Sequence, residues 1–254
     1  MFGAKTSDLH LHLNGSVSLR FLKTRSRVNG RDAEASYQQL EKLRHEYQAR
    51  REKLRAAPED EVCRAECEKL LWQQFPLVHR IMTRLEDTCQ AVLAVVASSK
   101  AGYLEIRTTP KGESPSARQA YIRSFVRGLR EANTRFASRK AAYGLLSLDR
   151  SSCTLERAYE IVDAVAIEKA RSGLLVGIDL SGNYLAPRQL TGAALEYALS
   201  KNIGLALHVG EANSPEEKRD VDLILKTLAV WKAGFFQFAV IFGLLEIYQP
   251  DSKT

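Results

Sequence analysis

The sequence predicts an α/β protein built on parallel strands. From Tyr103 to His208 short apolar runs alternate with longer segments of helical periodicity, and that alternation requires right-handed crossovers between parallel neighbours. The residues best suited to chemistry, His10, His12, Thr108, Asp149, Gly182 and His208, fall at the C-terminal ends of the predicted strands. That is the end at which α/β folds build their sites.

The first strand is the stretch Asp8-Leu9-His10-Leu11-His12-Leu13-Asn14-Gly15, in which polar and apolar residues alternate. Residues two apart on a strand point the same way, so His10 and His12 project together from the face opposite the leucines. The segment from Ser16 to Ala57 is polar and strongly basic, and from Ala35 to Arg55 it reads as helix on the spacing of Leu40, Leu43, Tyr47 and Leu54. Glu41, Glu46 and Glu52 interrupt its positive charge, with Glu46 placed to pair with Arg50 one turn on, which suits a solvated surface rather than a nucleic-acid site.

Pro58-Glu59-Asp60-Glu61 opens a helix through Leu71, a break follows near Pro76, and a second helix runs from Arg84 to Ser99. Leu85, Val92, Leu93, Val95 and Val96 are the apolar set that this second helix lays on a sheet. Then come a strand from Tyr103 to Lys111 closing in a turn, a helix from Gln119 to Arg135, and a strand from Ala141 to Leu148. Helix Thr154–Arg171, strand Leu174–Leu180, helix Leu190–Lys201 and strand Ile203–His208 complete the alternation. The apolar run from Ala229 to Leu245 is too short and interrupted for a membrane span, which needs about 20 largely apolar residues.

Hydrophobic residues make up 45% of the 254, enough to bury a core and to exclude a disordered chain. The net charge of +7 suits an anionic partner, but most of the excess comes from the basic segment. The four cysteines, Cys63, Cys67, Cys89 and Cys153, show no disulfide framework, and no secretory signal precedes the first strand. The expectation is a reduced, cytoplasmic, monomeric protein whose partner is a small molecule, not nucleic acid or a membrane.

Two imidazoles converging on one strand are the start of a zinc site. A second histidine-bearing run, Ile203-Gly204-Leu205-Ala206-Leu207-His208-Val209-Gly210-Glu211, ends in a histidine with a carboxylate three residues on. The pair His-x-His-x-Asn-Gly and Leu-His-x-Gly-Glu, in this order and at this separation, resembles the adenosine deaminase family, in particular its branch acting on N6-methyl-AMP. Tyr103-Leu104-Glu105-Ile106-Arg107 resembles that family's second strand, Tyr-x-Glu-x-Arg followed by a small residue and Pro.

The resemblance implies a metal-dependent-hydrolase (β/α)8 TIM-type barrel, here incomplete at about five βα units over residues 1–228, with 229–254 a divergent hydrophobic tail. It implies one Zn²⁺ per chain held by His10, His12 and His208, with Glu211 protonating the purine ring at N1 and Gly182 offering its backbone N–H to the purine. Asn14 stands where adenosine deaminases proper have aspartate, and a neutral amide accepts a 5′-phosphate that a carboxylate would repel. Thr108, Thr109, Pro110 and Lys111 after the second strand, His79 in Phe75-Pro76-Leu77-Val78-His79, and Asp149 are the remaining nucleotide contacts; His12 serves ligand as well as metal. The implied reaction is hydrolysis of N6-methyl-AMP to IMP and methylamine.

The resemblance ends near Leu228. The family's Gly-His-Gly and Asp-Asp segments do not follow, so the expectation for this chain is little or no deaminase activity. The alternatives are a non-catalytic chain that binds metal or nucleotide, and a polyanion-binding module using the basic helix.

Overall fold

The computed structural model describes residues 6–182, 192–209 and 222, and the backbone of 238–242. It divides into two compact units, Met1–Gly144 and Leu145–Thr254.

In the first unit, β1 (Ser7–His12) pairs in parallel with β2 (Tyr103–Thr108). The register sets Asp8 opposite Leu104, then Leu11 opposite Ile106 and His12 opposite Arg107. Two residues of β1, Leu9 and His10, therefore face the single residue Glu105, which makes a β-bulge. Leu104 and Ile106 are fully buried, whereas Leu9 is 44% exposed.

Five helices separate the two strands: α1 (Leu13–Ser16), α2 (Leu19–Asn29), α3 (Arg31–Ala56), α4 (Glu61–Ile81) and α5 (Leu85–Ser98). The sequence pattern did not announce α2, whose buried side is only Leu22 and Ser26. Its start is a cap, Ser18 Oγ accepting from Phe21 N at 3.1 Å. Gly30, at φ +95°, turns the chain directly into α3. The predicted stripe of α3 is buried at Leu40 and Tyr47 and half-buried at Leu43 and Leu54, against α4. Arg50 pairs with Glu66 of α4 at 2.9 Å rather than with the expected Glu46.

Two expectations for α4 are corrected. Asp60, not the proline, opens the helix, its side chain accepting from Cys63 N at 2.9 Å, and Pro58 stays outside. The helix then runs straight through Pro76. Proline removes one intrahelical hydrogen bond, but Leu77, Val78 and Ile81 just beyond it are buried, and that packing outweighs the loss. In α5 the structure buries Val92, Val95 and Val96 as expected, half-buries Leu93, and leaves Leu85 at 47% exposure. The first turn instead turns inward at Asp87, whose carboxylate caps Arg84 N at 2.9 Å.

After β2, α6 (Pro115–Phe136) starts on Ser114, which accepts from Ala117 N at 3.2 Å, and packs Phe125 and Leu129 among the buried residues beside α5. Strand β3 (Ala141–Asp149) follows, and the boundary between the units falls within it.

In the second unit, α7 (Leu155–Ser172) begins on Thr154 and ends on Gly173, which takes the left-handed conformation at φ +68°. Strand β4 (Leu175–Ser181) pairs in parallel with β5 (Gly204–Val209), with α8 (Gly192–Ser200) between them in the chain. A side chain at Gly177 would lie 2.6 Å from Gly204 O, so the two strands approach as closely as they do because both positions are glycine. Ile161, Val162, Val165, Ile178, Leu195 and Ile203 are among the buried apolar residues of this unit.

A sixth strand, β6 (Phe238–Phe242), lies in the segment read from sequence as a tail. Its Phe-Ala-Val-Ile-Phe run is rich in aromatic and β-branched residues, which favour strand, and it pairs in parallel along the edge of β5. Among the described residues no helix is long and apolar enough to cross a membrane.

Candidate functional site

In the first unit, His10, the second residue of the bulge, and His12 come together on one side of β1 as expected. His10 Nε2 and His12 Nε2 lie 3.0 Å apart, with ring centroids 5.0 Å apart in an edge-to-face arrangement. Both side chains are reachable, His10 exposed and His12 half-buried.

The chain leaves β1 directly into α1, which places Asn14 two residues after His12. The Asn14 side-chain amide Nδ2 meets His79 Nε2 at 2.8 Å, so two of the predicted ligand contacts are partners of each other. Asn14 Oδ1 is buried and accepts no hydrogen bond among the described residues.

At the end of β2, Thr108 is buried and shares a hydrogen bond of 2.6 Å with Tyr121 OH of α6, so its hydroxyl is engaged inside the unit. Thr109 is half-buried and Pro110 buried. Lys111 is half-buried, and burial pushes its ammonium down to about 8, partly offset by the nearby Asp87 carboxylate. Asp87 itself is fully buried and accepts from Arg25 Nε at 2.6 Å and Asn29 Nδ2 at 2.6 Å, tying α2 to α5.

The second unit holds His208, near the end of β5, buried at 5% exposure. Its Nε2 lies 3.2 Å from Asp179 Oδ1 on β4, and the other Asp179 oxygen accepts from Ser147 Oγ of β3 at 2.8 Å. Asp179 is completely buried. A carboxylate beside an imidazole orients the ring and raises its basicity toward a metal when it takes the ring nitrogen that the metal does not. Sequence reading missed Asp179, although an acid inside the apolar run Leu-Val-Gly-Ile-Asp-Leu is a signal in itself, since a buried carboxylate needs partners.

Asp149, at the end of β3, folds its carboxylate back to accept from Ser151 N at 2.9 Å and Ser151 Oγ at 2.6 Å. It also lies over Gly182, where a Cβ would come within 2.5 Å of Asp149 Oδ1. Gly182 adopts φ +107°, so glycine is required there both for conformation and for space. Arg150, just after β3, is buried and donates to the carbonyls of Leu180 and His208. Glu211 lies outside the described residues.

The chain is 32% identical over 256 residues to the N6-mAMP deaminase of Arabidopsis thaliana, covering 91% of this chain and 66% of that enzyme. It is 23% identical to the human N6-methyl-AMP deaminase over 87% of this chain and 58% of the human one. The crystal structure of Arabidopsis ADAL complexed with GMP superposes with a TM-score of 0.66 at 30% identity, over 85% of this chain and 61% of that one.

This chain belongs to the adenosine deaminase-like family.

Its fold class is the α/β barrel of these family members, of which β1–β5 are a part. An amidohydrolase from Burkholderia ambifaria with bound Zn shares the fold, with a TM-score of 0.58 at 20% identity. No family model matches the chain. The chain spans at most about two thirds of the length of these adenosine deaminase-like relatives.

Proposed function

We propose that this chain carries metal- and nucleotide-binding residues of a zinc-dependent deaminase of purine nucleoside monophosphates, with N6-methyl-AMP as substrate. Water adds at purine C6 and methylamine leaves, giving IMP. The relatives named as N6-methyl-AMP deaminases and the family structures with GMP and IMP support a nucleotide of this class.

The observation that carries the reading is the 3.0 Å separation of His10 Nε2 and His12 Nε2. Two nitrogens bound to one tetrahedral zinc at 2.0–2.1 Å stand roughly 3.3 Å apart, so the pair already has the spacing of two ligands of one ion. By the family resemblance His208, which lies beside Asp179, supplies the third ligand in this proposal. The donor set, imidazoles with a carboxylate behind one of them, is that of catalytic zinc. Bound zinc lowers the pKa of a water ligand from 15.7 to about 7, which supplies hydroxide at neutral pH.

The chain's own residues then bind and orient the nucleotide. The Asn14 amide keeps a second hydrogen for a phosphate oxygen while His79 holds the first. Lys111 supplies a poorly hydrated positive charge for the same group. The Gly182 backbone reaches the purine, and Glu211 donates the proton to N1 as the ring accepts the nucleophile. The reading includes one zinc per chain and a monomeric cytoplasmic protein, and the absence of any disulfide among the four cysteines fits a reducing compartment.

The test is calorimetry with zinc, then with IMP, on the purified chain, beside turnover of N6-methyl-AMP by a chimera extended with the remaining segment of the Arabidopsis enzyme. One zinc per chain, IMP bound in preference to inosine, and methylamine release by the chimera are expected. Absence of zinc binding in the chain, or equal affinity for IMP and inosine, overturns the reading.

A further inference from the structure

The bulge in β1 has a cost that one buried side chain meets. Where Leu9 and His10 together face Glu105, the ladder between β1 and β2 is interrupted, and backbone groups of the bulged strand lose their regular partners. A carbonyl in that position must find another donor. Arg107, the residue of β2 opposite His12, is fully buried, and its guanidinium Nη2 donates to the Leu9 carbonyl. That carbonyl belongs to the peptide bond leading into His10.

We infer that Arg107 is a positioning residue, its buried guanidinium holding the β1 bulge and thereby setting the spacing of His10 and His12. The inference rests on the proposed role of those histidines as metal ligands. The bulge shifts the pleat by one residue, so the direction of His10 depends on how the Leu9–His10 peptide is held. A guanidinium suits this task because its planar fork fixes direction as well as charge, whereas an ammonium on a flexible stem supplies charge alone.

The experiment is a set of double-mutant cycles on zinc affinity, measured by competition with a chromogenic chelator, in the full chain. Arg107→Met is expected to weaken zinc by about 10–100-fold in the wild-type background, the range typical of groups that orient ligands. In a His10→Ala background the same change should cost no more than about 3-fold, since its target is gone. In a His208→Ala background it should retain its full effect. Arg107→Lys, which keeps charge without the fork, should behave as Arg107→Met does and replaces it if that variant does not fold. Without metal, amide exchange at residues 9–12 should accelerate in either variant while β4 and β5 stay protected.

An equal loss of affinity in all three backgrounds, or unchanged exchange across β1, would make Arg107 a general structural residue and overturn the inference. Failure of the wild-type chain to bind zinc would instead remove the metal-site reading beneath it. The two failures are thus told apart.

Discussion

The side-chain amide of Asn14 on α1 meets His79 Nε2 on α4 at 2.8 Å, joining residues 65 apart in the chain. The contact explains how a neutral residue here is held in place, and what an acid would change. In Asn14→Asp a carboxylate oxygen faces Nε2, which must then become a donor, and a negative charge stands where the phosphate is proposed to bind. Two like charges about 5 Å apart at an effective dielectric of 20 repel by roughly 3 kcal/mol. The expected result is IMP affinity lowered about 10–100-fold, with inosine affinity changed by less than about 3-fold. Calorimetry with both ligands at pH 7 checks it, and parallel losses for the two would show that Asn14 does not face the phosphate.

Much of this was legible in the sequence because it rests on local periodicity. Alternation placed His10 and His12 on one side of β1, and the short apolar runs marked β3 to β5 within a residue, while β2 ends at Thr108, three residues before the Lys111 read from sequence. The structure departs from that reading where tertiary packing overrides local preference. Pro76 does not break α4 because Leu77, Val78 and Ile81 are buried just beyond it, and Leu85 is exposed because Asp87 takes the inward position with Arg25 and Asn29. Asp179, Arg107 and Arg150 escaped notice as site residues because their partners lie on other strands: a single sequence shows a charge in an apolar run but not what neutralises it or which carbonyl it holds. The bulge in β1 was equally hidden, since register is a property of two strands and not of one.

In the proposed site Lys111 sets stability against binding. Its ammonium loses its proton near pH 8 in the folded chain against the ordinary 10.5 when unfolded. Between those values the unfolded state binds more protons, so stability rises with pH across that window and the full cost of burying the charge is carried below pH 8. That cost is roughly 3 kcal/mol. Lys111→Met should therefore stabilise the chain at pH 7 by about 1–3 kcal/mol in urea titrations and flatten the rise between pH 8 and 10. The same variant should lose IMP affinity, and in the wild type that affinity should fall as pH rises past about 8. A destabilised Lys111→Met at pH 7 would contradict the assigned cost.

His208 lies beside the buried Asp179 carboxylate. Asp179→Asn keeps the shape but removes the charge 3.2 Å from His208 Nε2, and zinc affinity should fall about 10–100-fold. Ser147→Ala removes one hydrogen bond to the other carboxylate oxygen and should cost about 1–2 kcal/mol in stability. Its effect on zinc should be smaller than that of Asp179→Asn and absent once Asp179 is Asn. Chelator competition on the two single variants and the double variant measures this, and an additive double variant would separate Ser147 from His208.

Gly182 is constrained twice over, and the two constraints can be separated. A methyl group there meets Asp149 Oδ1 at 2.5 Å and Arg150 N at 3.1 Å, and φ of +107° is a conformation that side chains rarely adopt. The Asp149 carboxylate cannot swing away freely, because Ser151 holds it through both its backbone N–H and its hydroxyl. Gly182→Ala should destabilise the chain by about 2–4 kcal/mol, with backbone strain alone contributing about 1–3. Removing the carboxylate in Asp149→Ala/Gly182→Ala should recover the part due to the clash, roughly 1 kcal/mol relative to additivity, and leave the conformational part in place. Urea denaturation of the four members of this cycle gives both terms. Strict additivity would mean that the carboxylate yields without cost and that φ alone demands glycine, whereas a nearly neutral Gly182→Ala would show that the turn after β4 relaxes around a side chain.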